Sequence, residues 1–262
     1  MDFACEPLSE DSLLLRFGDR IDAATNARVH AAAHAIRAGR LPGVIDIAPA
    51  YATLLVRFDP LAQDHGTVSE AIIQVLGDSP RRRLALPAID YADAHPGGLA
   101  AQSGIRRDGE REATASEHAA VRVVEIPVCY GGEYGFDLDA VAEHVRLSRD
   151  DVIARHAAAE YAVAMLGFAP GFPYLLGLDP ALQMPRRATP RTRVPAGSVA
   201  IGGAQTGIYP RELPGGWHLV GRTPRILFDA QRDPPCLLAP GDRVRFRAID
   251  AAEFARLAGT TA

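Results

Sequence analysis

The 262-residue chain contains no lysine, so all 28 of its basic residues are arginine. This absence excludes three kinds of chemistry on this polypeptide. A Schiff-base intermediate, a covalently attached biotin and a P-loop phosphate site each require a lysine side chain. Any phosphate group that this chain binds must therefore meet arginine, backbone N–H groups or a metal ion.

Cysteine is also scarce, and neither sign of charge dominates. Cys5, Cys129 and Cys236 are odd in number and lack the spacing of a metal site, so we expect reduced thiols. A net charge of −4 lacks the basic footprint of proteins that bind nucleic acid. No basic N-terminal region precedes a long apolar run, so the sequence predicts neither a signal peptide nor a membrane span. We expect a cytoplasmic protein.

Glycine and proline are concentrated in one region. Residues 167–221 hold 10 of the 24 glycines, 8 of the 20 prolines and the single tryptophan. Proline fixes φ and removes a hydrogen-bond donor, whereas glycine reaches φ values that other residues avoid. The region therefore predicts short strands joined by rigid, shaped loops, and such loops often carry binding or catalytic groups.

The first third of the chain predicts a small α+β unit. Residues 12–18, 44–48, 53–59 and 81–87 have the character of strands, and residues 22–39 and 67–78 that of helices. The resulting order is strand, helix, strand, strand, helix, strand. This order is typical of a ferredoxin-like domain, which we assign to residues 1–90.

The remainder of the chain predicts a flexible linker followed by a barrel. Residues 91–119 are charged and poor in large apolar side chains, which is typical of a mobile segment. Asp137 and Ser148 are expected to cap two helices. Strands are predicted over residues 121–130, 161–168, 225–229 and 243–249. Many short strands with two peripheral helices favour a closed β-barrel domain over residues 120–262.

Several long segments resemble one protein family. They are GFAPGFPYLLGLD (167–179), residues 185–210 and PGGWHLVGRTP (214–224), with further similarity in residues 43–60 and 125–148. The family includes the B subunit of 5-oxoprolinase, allophanate hydrolase subunit 1, part of the carboxyltransferase domain of urea carboxylase (subdomains C and D) and a sporulation-kinase inhibitor. The resemblance implies that the predicted barrel is cyclophilin-like.

Candidate site residues lie in IGGAQTGIYP, where three glycines accompany Gln205, Thr206 and Tyr209. The glycines would allow a ligand to approach the backbone, and a glutamine amide both donates to and accepts from an amide or lactam. The alternative is a tight hairpin in which Gln205 and Thr206 satisfy the groups of their own turn.

A second group of candidates combines an imidazole, an indole and arginines. Trp217 supplies an apolar wall, and His218 is a titratable group suited to moving a proton. The alternative is a core tryptophan beside a surface histidine. Arg187 and Arg222 are suited to two-pronged binding of a carboxylate or phosphate, although a single arginine is more often a surface cation.

The resemblance implies a component of an ATP-dependent 5-oxoprolinase, which hydrolyses the cyclic amide 5-oxo-L-proline to L-glutamate. His218 and Gln205 would be catalytic, and Arg187, Arg222, Thr206, Tyr209 and Trp217 would bind substrate. The complex would use ATP, with Mg²⁺, and no biotin on this chain. The expected partners are a subunit homologous to allophanate hydrolase subunit 2 and a third subunit of the lactam-utilisation type, and the chain alone would be inactive.

Three alternatives remain open from the sequence. One is a regulatory protein that inhibits a histidine kinase, which would bind that kinase stoichiometrically. Another is an allophanate- or urea-processing carboxyltransferase subunit, which would depend on biotin carried by another chain. A peptidyl-prolyl isomerase is suggested only by the inferred barrel shape, and fold does not carry function.

Overall fold

A computed structural model describes residues 2–77 and 122–259 of the chain. The first of these parts is a four-stranded antiparallel sheet with two helices. Its elements in chain order are β1 (Ala4–Ser9), β2 (Ser12–Arg16), α1 (Ala23–Gly39), β3 (Val44–Pro49), β4 (Thr53–Phe58) and α2 (His65–Leu76). The strand order is β1-β2-β4-β3, and both helices contribute apolar side chains to one core with the sheet.

This part confirms the ferredoxin-like prediction with one addition. The strand Ala4–Ser9 was not predicted, because its sequence contains a proline and shows no apolar alternation. It pairs with β2 at the edge where the fourth strand of a ferredoxin-like sheet would pair. The strand predicted over residues 81–87 and the linker predicted over residues 91–119 lie outside the described residues, so the domain boundaries stay predictions.

The second part is built around a closed barrel of seven strands. Its elements are β5 (Val123–Tyr130), α3 (Leu138–Val145), α4 (Arg149–Ala158), β6 (Glu160–Leu166), β7 (Pro173–Leu176), β8 (Arg191–Val194), β9 (Ser198–Gly202), β10 (Gln205–Ile208), β11 (Leu213–Gly215), β12 (His218–Arg222), β13 (Arg243–Ile249) and α5 (Ala251–Gly259). The barrel order is β10-β7-β6-β13-β5-β12-β9, closed by pairing of β9 with β10. Strands β8 and β11 form a separate two-stranded ribbon. The predicted α+β class and the barrel are confirmed.

One predicted helix cap is right and the other is wrong. The Ser148 hydroxyl accepts the backbone N–H of Asp151 at 3.0 Å and begins α4 as predicted. Asp137 precedes α3, but its side chain caps no N–H group of that helix. The carboxylate instead accepts charge-assisted hydrogen bonds from Arg187 and Arg191, together with the backbone N–H of Leu219 in β12.

The strand predicted over residues 225–229 is also wrong. Only an isolated bridge between Phe228 and Cys236 forms there. Backbone hydrogen bonds from Leu237 to the Leu227 carbonyl oxygen (2.8 Å) and from Asp229 to the Pro235 carbonyl oxygen (2.9 Å) form this bridge, which is too short to count as a strand. The guanidinium group of Arg232 also donates to the Leu227 carbonyl oxygen at 3.3 Å. A C-terminal helix, Ala251–Gly259, was not predicted.

The two parts of the chain touch through the connection between β3 and β4. The Asn26 side-chain amide donates to the carbonyl oxygens of Ala50 at 3.0 Å and Tyr51 at 3.2 Å, and it reaches Ala164 of β6 at 3.4 Å. The ring of Tyr51 packs edge-on against Tyr174 of β7, with 5.9 Å between ring centroids. Tyr51 is therefore fixed beside the barrel. Within residues 2–77 and 122–259, no helix has the length and apolar character that crossing a membrane requires.

The backbone at Gly135 packs directly against the backbone of β12, and we expect this close contact to require glycine. A Cβ atom at this position would lie 2.1 Å from the Val220 carbonyl oxygen, so a Gly135→Ala variant must displace backbone. We expect it to lower the free energy of unfolding by about 1–3 kcal/mol, measured by urea denaturation. Gly259→Ala is the control, because nothing lies within 4 Å of a Cβ there. Equal stability of the two variants would contradict the close approach.

Candidate functional site

A pocket of about 600 Å³ lies on the outer side of the barrel and is lined by aromatic rings and arginines. The strand β9 shows how the two faces differ: Val199 and Ile201 point into the barrel core, whereas Ala200 joins a separate outer cluster. The side chains that define the pocket are Phe168, Phe172, Tyr174, Tyr209, Trp217, Arg186 and Arg187. Its volume suits a small organic molecule.

Glycines make room for the rings of this pocket. A Cβ at Gly202 would lie 2.6 Å from the Trp217 ring, and one at Gly215 would lie 2.1 Å from the Tyr209 hydroxyl oxygen. The glycines of the segment around Gln205 were expected to expose the backbone to a ligand. The structure gives Gly202 a different role, because its missing side chain is the space that the indole fills.

Phe168 is held at the rim of the pocket by an unusual backbone conformation. Its φ is 66°, in the left-handed region that a bulky side chain seldom adopts, and 60% of the residue is exposed. The ring packs edge-on against Phe172, with centroids 5.4 Å apart. The turn ends the strand predicted over residues 161–168 at Leu166 and leaves an aromatic ring facing solvent above the pocket.

Asp137 organises the arginine-rich side of the site. The residue is 5% exposed, and its carboxylate accepts hydrogen bonds from Arg191 at 2.7 and 2.8 Å and from Arg187 at 3.1 Å. It also accepts the backbone N–H of Leu219 at 2.8 Å. Burial raises the pKa of the Asp137 carboxyl, but these hydrogen bonds and positive charges outweigh burial and hold the pKa below its usual range.

His218 lies beside this cluster and not in the lining of the pocket. Its Nε2 is 3.0 Å from the Pro185 carbonyl oxygen, an acceptor, so Nε2 carries the proton and donates. Its Nδ1 is buried without a hydrogen-bond partner among the described residues. Burial lowers the pKa of His218. The negative charge of Asp137 opposes this shift, and the positive charges of Arg187 and Arg191 add to it. The imidazole is therefore neutral at pH 7.

Arg187 and Arg186 both line the pocket, but their charges are used differently. Arg187 shares the Asp137 carboxylate, so its positive charge is already largely balanced. Arg186 makes no ion pair with any described residue, and its guanidinium carbon lies 6.0 Å from the centre of the Trp217 ring. The sequence favoured Arg187 as the anion-binding arginine. In the described parts of the chain, however, Arg186 is the arginine of the pocket whose charge no carboxylate balances.

The residues of β10 are divided between the two faces of the barrel wall. Gln205 is the cross-strand partner of Gly202, so its side chain is on the outer, Trp217 side. Thr206 is completely buried on the inner side, and its hydroxyl donates to the Ala200 carbonyl oxygen at 3.0 Å. Thr206 therefore lies behind the pocket wall and does not line the pocket.

Thr206 belongs to a buried chain of hydrogen bonds through His156. Because the Thr206 proton is directed to a carbonyl oxygen, His156 Nε2–H must donate to Thr206 Oγ1 at 3.0 Å. His156 Nδ1 is then an acceptor, and the Tyr130 hydroxyl donates to it at 2.8 Å. Complete burial lowers the pKa of His156 to about 3, so the imidazole stays neutral inside the barrel.

Arg222 is separated from the other candidates along β12. It is four residues beyond His218, which corresponds to about 13 Å of strand. Its Nε donates to the Ala196 carbonyl oxygen at 2.8 Å. Arg222 is not among the residues that line the aromatic pocket, and its role in binding an anionic group stays a prediction.

Of the seven predicted site residues, the structure therefore places Arg187, Tyr209 and Trp217 in the pocket lining. Arg186, Asp137 and His156 were not predicted as site or core-network residues. The sequence could have pointed to Arg186, because it lies in the arginine-rich segment 185–193 that precedes Trp217. Asp137 and His156 had no such signal, because their partners lie far along the chain: Arg187 is 50 residues from Asp137, and Tyr130 and Thr206 are 26 and 50 residues from His156.

Comparison with known proteins agrees with the resemblance found in the sequence. The family model for the carboxyltransferase domain, subdomain C and D, matches residues 3–88 and 96–238. The chain is 40% identical over 255 residues to the 5-oxoprolinase B subunit of Bacillus subtilis (strain 168), which covers 96% of this chain and 95% of the relative. It is 47% identical over 178 residues to the 5-oxoprolinase B subunit of Escherichia coli O157:H7, covering 67% of this chain and 82% of the relative.

Among solved structures, the chain is similar to the crystal structure of the protein TTHA0988, with a TM-score of 0.69 and 36% sequence identity. The match covers 92% of this chain and spans 40% of the length of that solved chain. The fold and the order of the two parts thus recur in a related protein that is longer.

An Asp137→Asn variant is expected to be less stable by about 2 kcal/mol. The change leaves two arginines without their counter-charge, and hydrogen bonds to charged groups contribute about 1.5–3 kcal/mol. The measurement is urea denaturation at pH 7. Asp139→Asn on α3 is the matched control, because Asp139 forms an exposed pair with Arg149 and should change stability by less than about 0.5 kcal/mol. Equal effects would show that the Asp137 cluster contributes little.

The stability of the chain is expected to fall with acidity because of His156. Below the ordinary histidine pKa of 6.5, the unfolded chain binds a proton that the folded His156 refuses until about pH 3. Acid therefore favours the unfolded state by about 1.4 kcal/mol per pH unit across this window. Between pH 7 and pH 5, the wild type should lose about 2 kcal/mol more than His156→Gln. His34→Gln, at an exposed position of α1, is the control, and an identical pH dependence for His156→Gln and wild type would contradict this assignment.

Proposed function

This chain belongs to the family of the carboxyltransferase domain, subdomains C and D, and we propose that it is one component of an ATP-dependent 5-oxoprolinase. The enzyme hydrolyses the cyclic amide 5-oxo-L-proline to L-glutamate. The observation that carries the proposal is the 40% identity to a 5-oxoprolinase B subunit along nearly the full length of both chains.

The chemistry explains why ATP is required. A lactam carbonyl carbon is a poor electrophile, and transfer of the terminal phosphoryl group of ATP to the carbonyl oxygen activates it. One water then adds to the carbon and the C–N bond breaks as the nitrogen is protonated. A second water hydrolyses the resulting acyl phosphate, which gives glutamate, ADP and inorganic phosphate.

The pocket lined by Trp217 and Arg186 supports a role in holding the small anionic substrate. Flat aromatic walls suit the ring, and a guanidinium group suits its carboxylate. A triphosphate carries several negative charges, whereas this pocket offers one uncompensated guanidinium among the described residues. The pocket therefore fits the lactam better than it fits ATP, and we assign ATP and its Mg²⁺ to the assembled enzyme.

Within the assembled site, we assign substrate binding to Arg187, Tyr209 and Trp217 and amide contact to Gln205, which faces the same side of the wall. His218 is a neutral imidazole whose Nδ1 has no partner among the described residues, a group able to accept a proton. Its place beside Asp137 supports a role in proton movement once the partner chains complete the site.

We further propose that the active enzyme includes a subunit homologous to allophanate hydrolase subunit 2 and a third subunit of the lactam-utilisation type. The chain has no lysine with which to build a P-loop for ATP. A site completed by other chains is consistent with the exposed Phe168 ring at the rim of the pocket. The complex is expected to be cytoplasmic.

We expect ATP-dependent formation of glutamate from 5-oxo-L-proline only when this chain is combined with both partner subunits. The measurement compares the chain alone, each pair and the full mixture, with and without ATP. Activity of the chain alone would contradict its role as one part of a site.

The glutamate assay and two further measurements separate the alternatives. Absence of glutamate formation with folded partners would reject the proposed function. Biotin-dependent turnover of urea or allophanate would then identify a carboxyltransferase component, and stoichiometric binding to a histidine kinase would identify a regulatory protein.

A further inference from the structure

We propose that Arg186 and Tyr174 in the lining of the aromatic pocket, with the hydroxyl group of Tyr51 packed next to Tyr174, form a carboxylate-binding subsite. Tyr51 belongs to the N-terminal part of the chain, so both parts of the molecule would contribute to the site. The identity of the ligand as 5-oxo-L-proline rests on the proposed function, whereas the subsite itself rests on the geometry below.

The first observation concerns the charge of Arg186. Of the two arginines that line the pocket, Arg187 shares the buried carboxylate of Asp137, and Arg186 pairs with no carboxylate among the described residues. Its guanidinium group lies over the Trp217 ring at 6.0 Å. This distance is the outer limit of a cation–π contact, so Arg186 lies at the Trp217 wall of the pocket with a charge that no described carboxylate balances.

The second observation concerns Tyr51, which is not itself among the residues that line the pocket but packs against Tyr174, which is. The Tyr51 hydroxyl oxygen is buried and has no hydrogen-bond partner among residues 2–77 and 122–259. The Tyr51 and Tyr174 rings are 5.9 Å apart, and Tyr174 is in turn 5.9 Å from Trp217. A buried hydroxyl group without a partner is costly, and a ligand oxygen bound next to Tyr174 would remove that cost.

The protonation of the tyrosines agrees with this role. Burial raises the pKa of Tyr51 and of Tyr174, and the nearby charge of Arg186 opposes the effect in both cases. Both tyrosines therefore remain protonated at neutral pH and can donate a hydrogen bond. A guanidinium group and two O–H donors together complement the two oxygens of a carboxylate.

The third observation concerns how Tyr51 is held in place. It lies in the short connection between β3 and β4, and the Asn26 amide donates to the carbonyl oxygens of Ala50 and Tyr51. The same amide reaches Ala164 in β6. The position of Tyr51 relative to the barrel is thus fixed by hydrogen bonds.

The test uses Trp217, the single tryptophan of the chain, as a reporter inside the pocket. The full chain is titrated with 5-oxo-L-proline and with 2-pyrrolidinone, the same ring without the carboxylate, while tryptophan fluorescence is followed. We expect a saturable change with 5-oxo-L-proline at concentrations at which 2-pyrrolidinone produces none. Equal affinity for the two compounds, or no saturable response to 5-oxo-L-proline, would overturn the subsite.

The variants locate the carboxylate contact. Arg186→Gln should weaken binding of 5-oxo-L-proline by about tenfold or more, since charge-assisted hydrogen bonds are among the stronger polar contacts. Tyr51→Phe should weaken it by roughly threefold to tenfold. Arg193→Gln is the matched control, because Arg193 is an exposed residue of β8 that pairs with Glu212 away from the pocket lining. An Arg186→Gln variant that binds like Arg193→Gln would overturn the proposal, and thermal melting of each variant separates lost binding from lost folding.

The assembled enzyme separates this inference from the proposed function. There Arg186→Gln should raise KM for 5-oxo-L-proline about tenfold with a smaller change in kcat, because a carboxylate contact is made equally in the ground state and the transition state. An active complex with unchanged KM would overturn the subsite and leave the function intact. An inactive complex, together with Arg186-dependent binding of 5-oxo-L-proline, would reject the function and retain the subsite.

Discussion

The buried carboxylate of Asp137 is the interaction on which the loop-rich part of the barrel depends. It joins the start of α3 to the β12 backbone and to Arg187 and Arg191, which lie some 50 residues further along the chain. A buried charge of this kind is tolerable only because cations and an N–H group meet its oxygens. By balancing Arg187, it also leaves Arg186 as the free cation of the pocket within the described residues.

Two glycines without side chains allow the aromatic wall of the pocket to form. Gly202 and Gly215 allow the Trp217 and Tyr209 rings to lie directly against backbone, so the aromatic wall is close-packed from behind. Rings held in this way lose little conformational freedom when a ligand binds, which favours affinity. The arrangement accounts for two of the ten glycines that are concentrated in residues 167–221.

Much of the fold followed from local pattern. The first helix was predicted because its alanine-rich sequence starts at an Asp and ends at a Gly, and the second was predicted from the helical character of residues 67–78. Residues 225–229 were misjudged because their apolar character resembled a strand, whereas their backbone pairing is limited to the short bridge around Phe228 and Cys236. The candidate site was predicted only in part. Arg186 and Arg187 are adjacent in sequence and differ only in their contacts, because Arg187 pairs with Asp137 and Arg186 lies by the Trp217 ring.

The sequence by itself determined the class of fold, the family and the region in which the site lies, because these depend on local periodicity, on turn residues and on long recognisable segments. Tertiary structure alone decided which residues act together. It buried Thr206 and His156 inside the barrel, set Arg222 about 13 Å along the strand from His218, and brought Tyr51 beside Tyr174. The physical reason is that hydrogen bonding, ion pairing and burial depend on proximity in space, and contacts across 50 or more residues leave no local pattern in a single sequence.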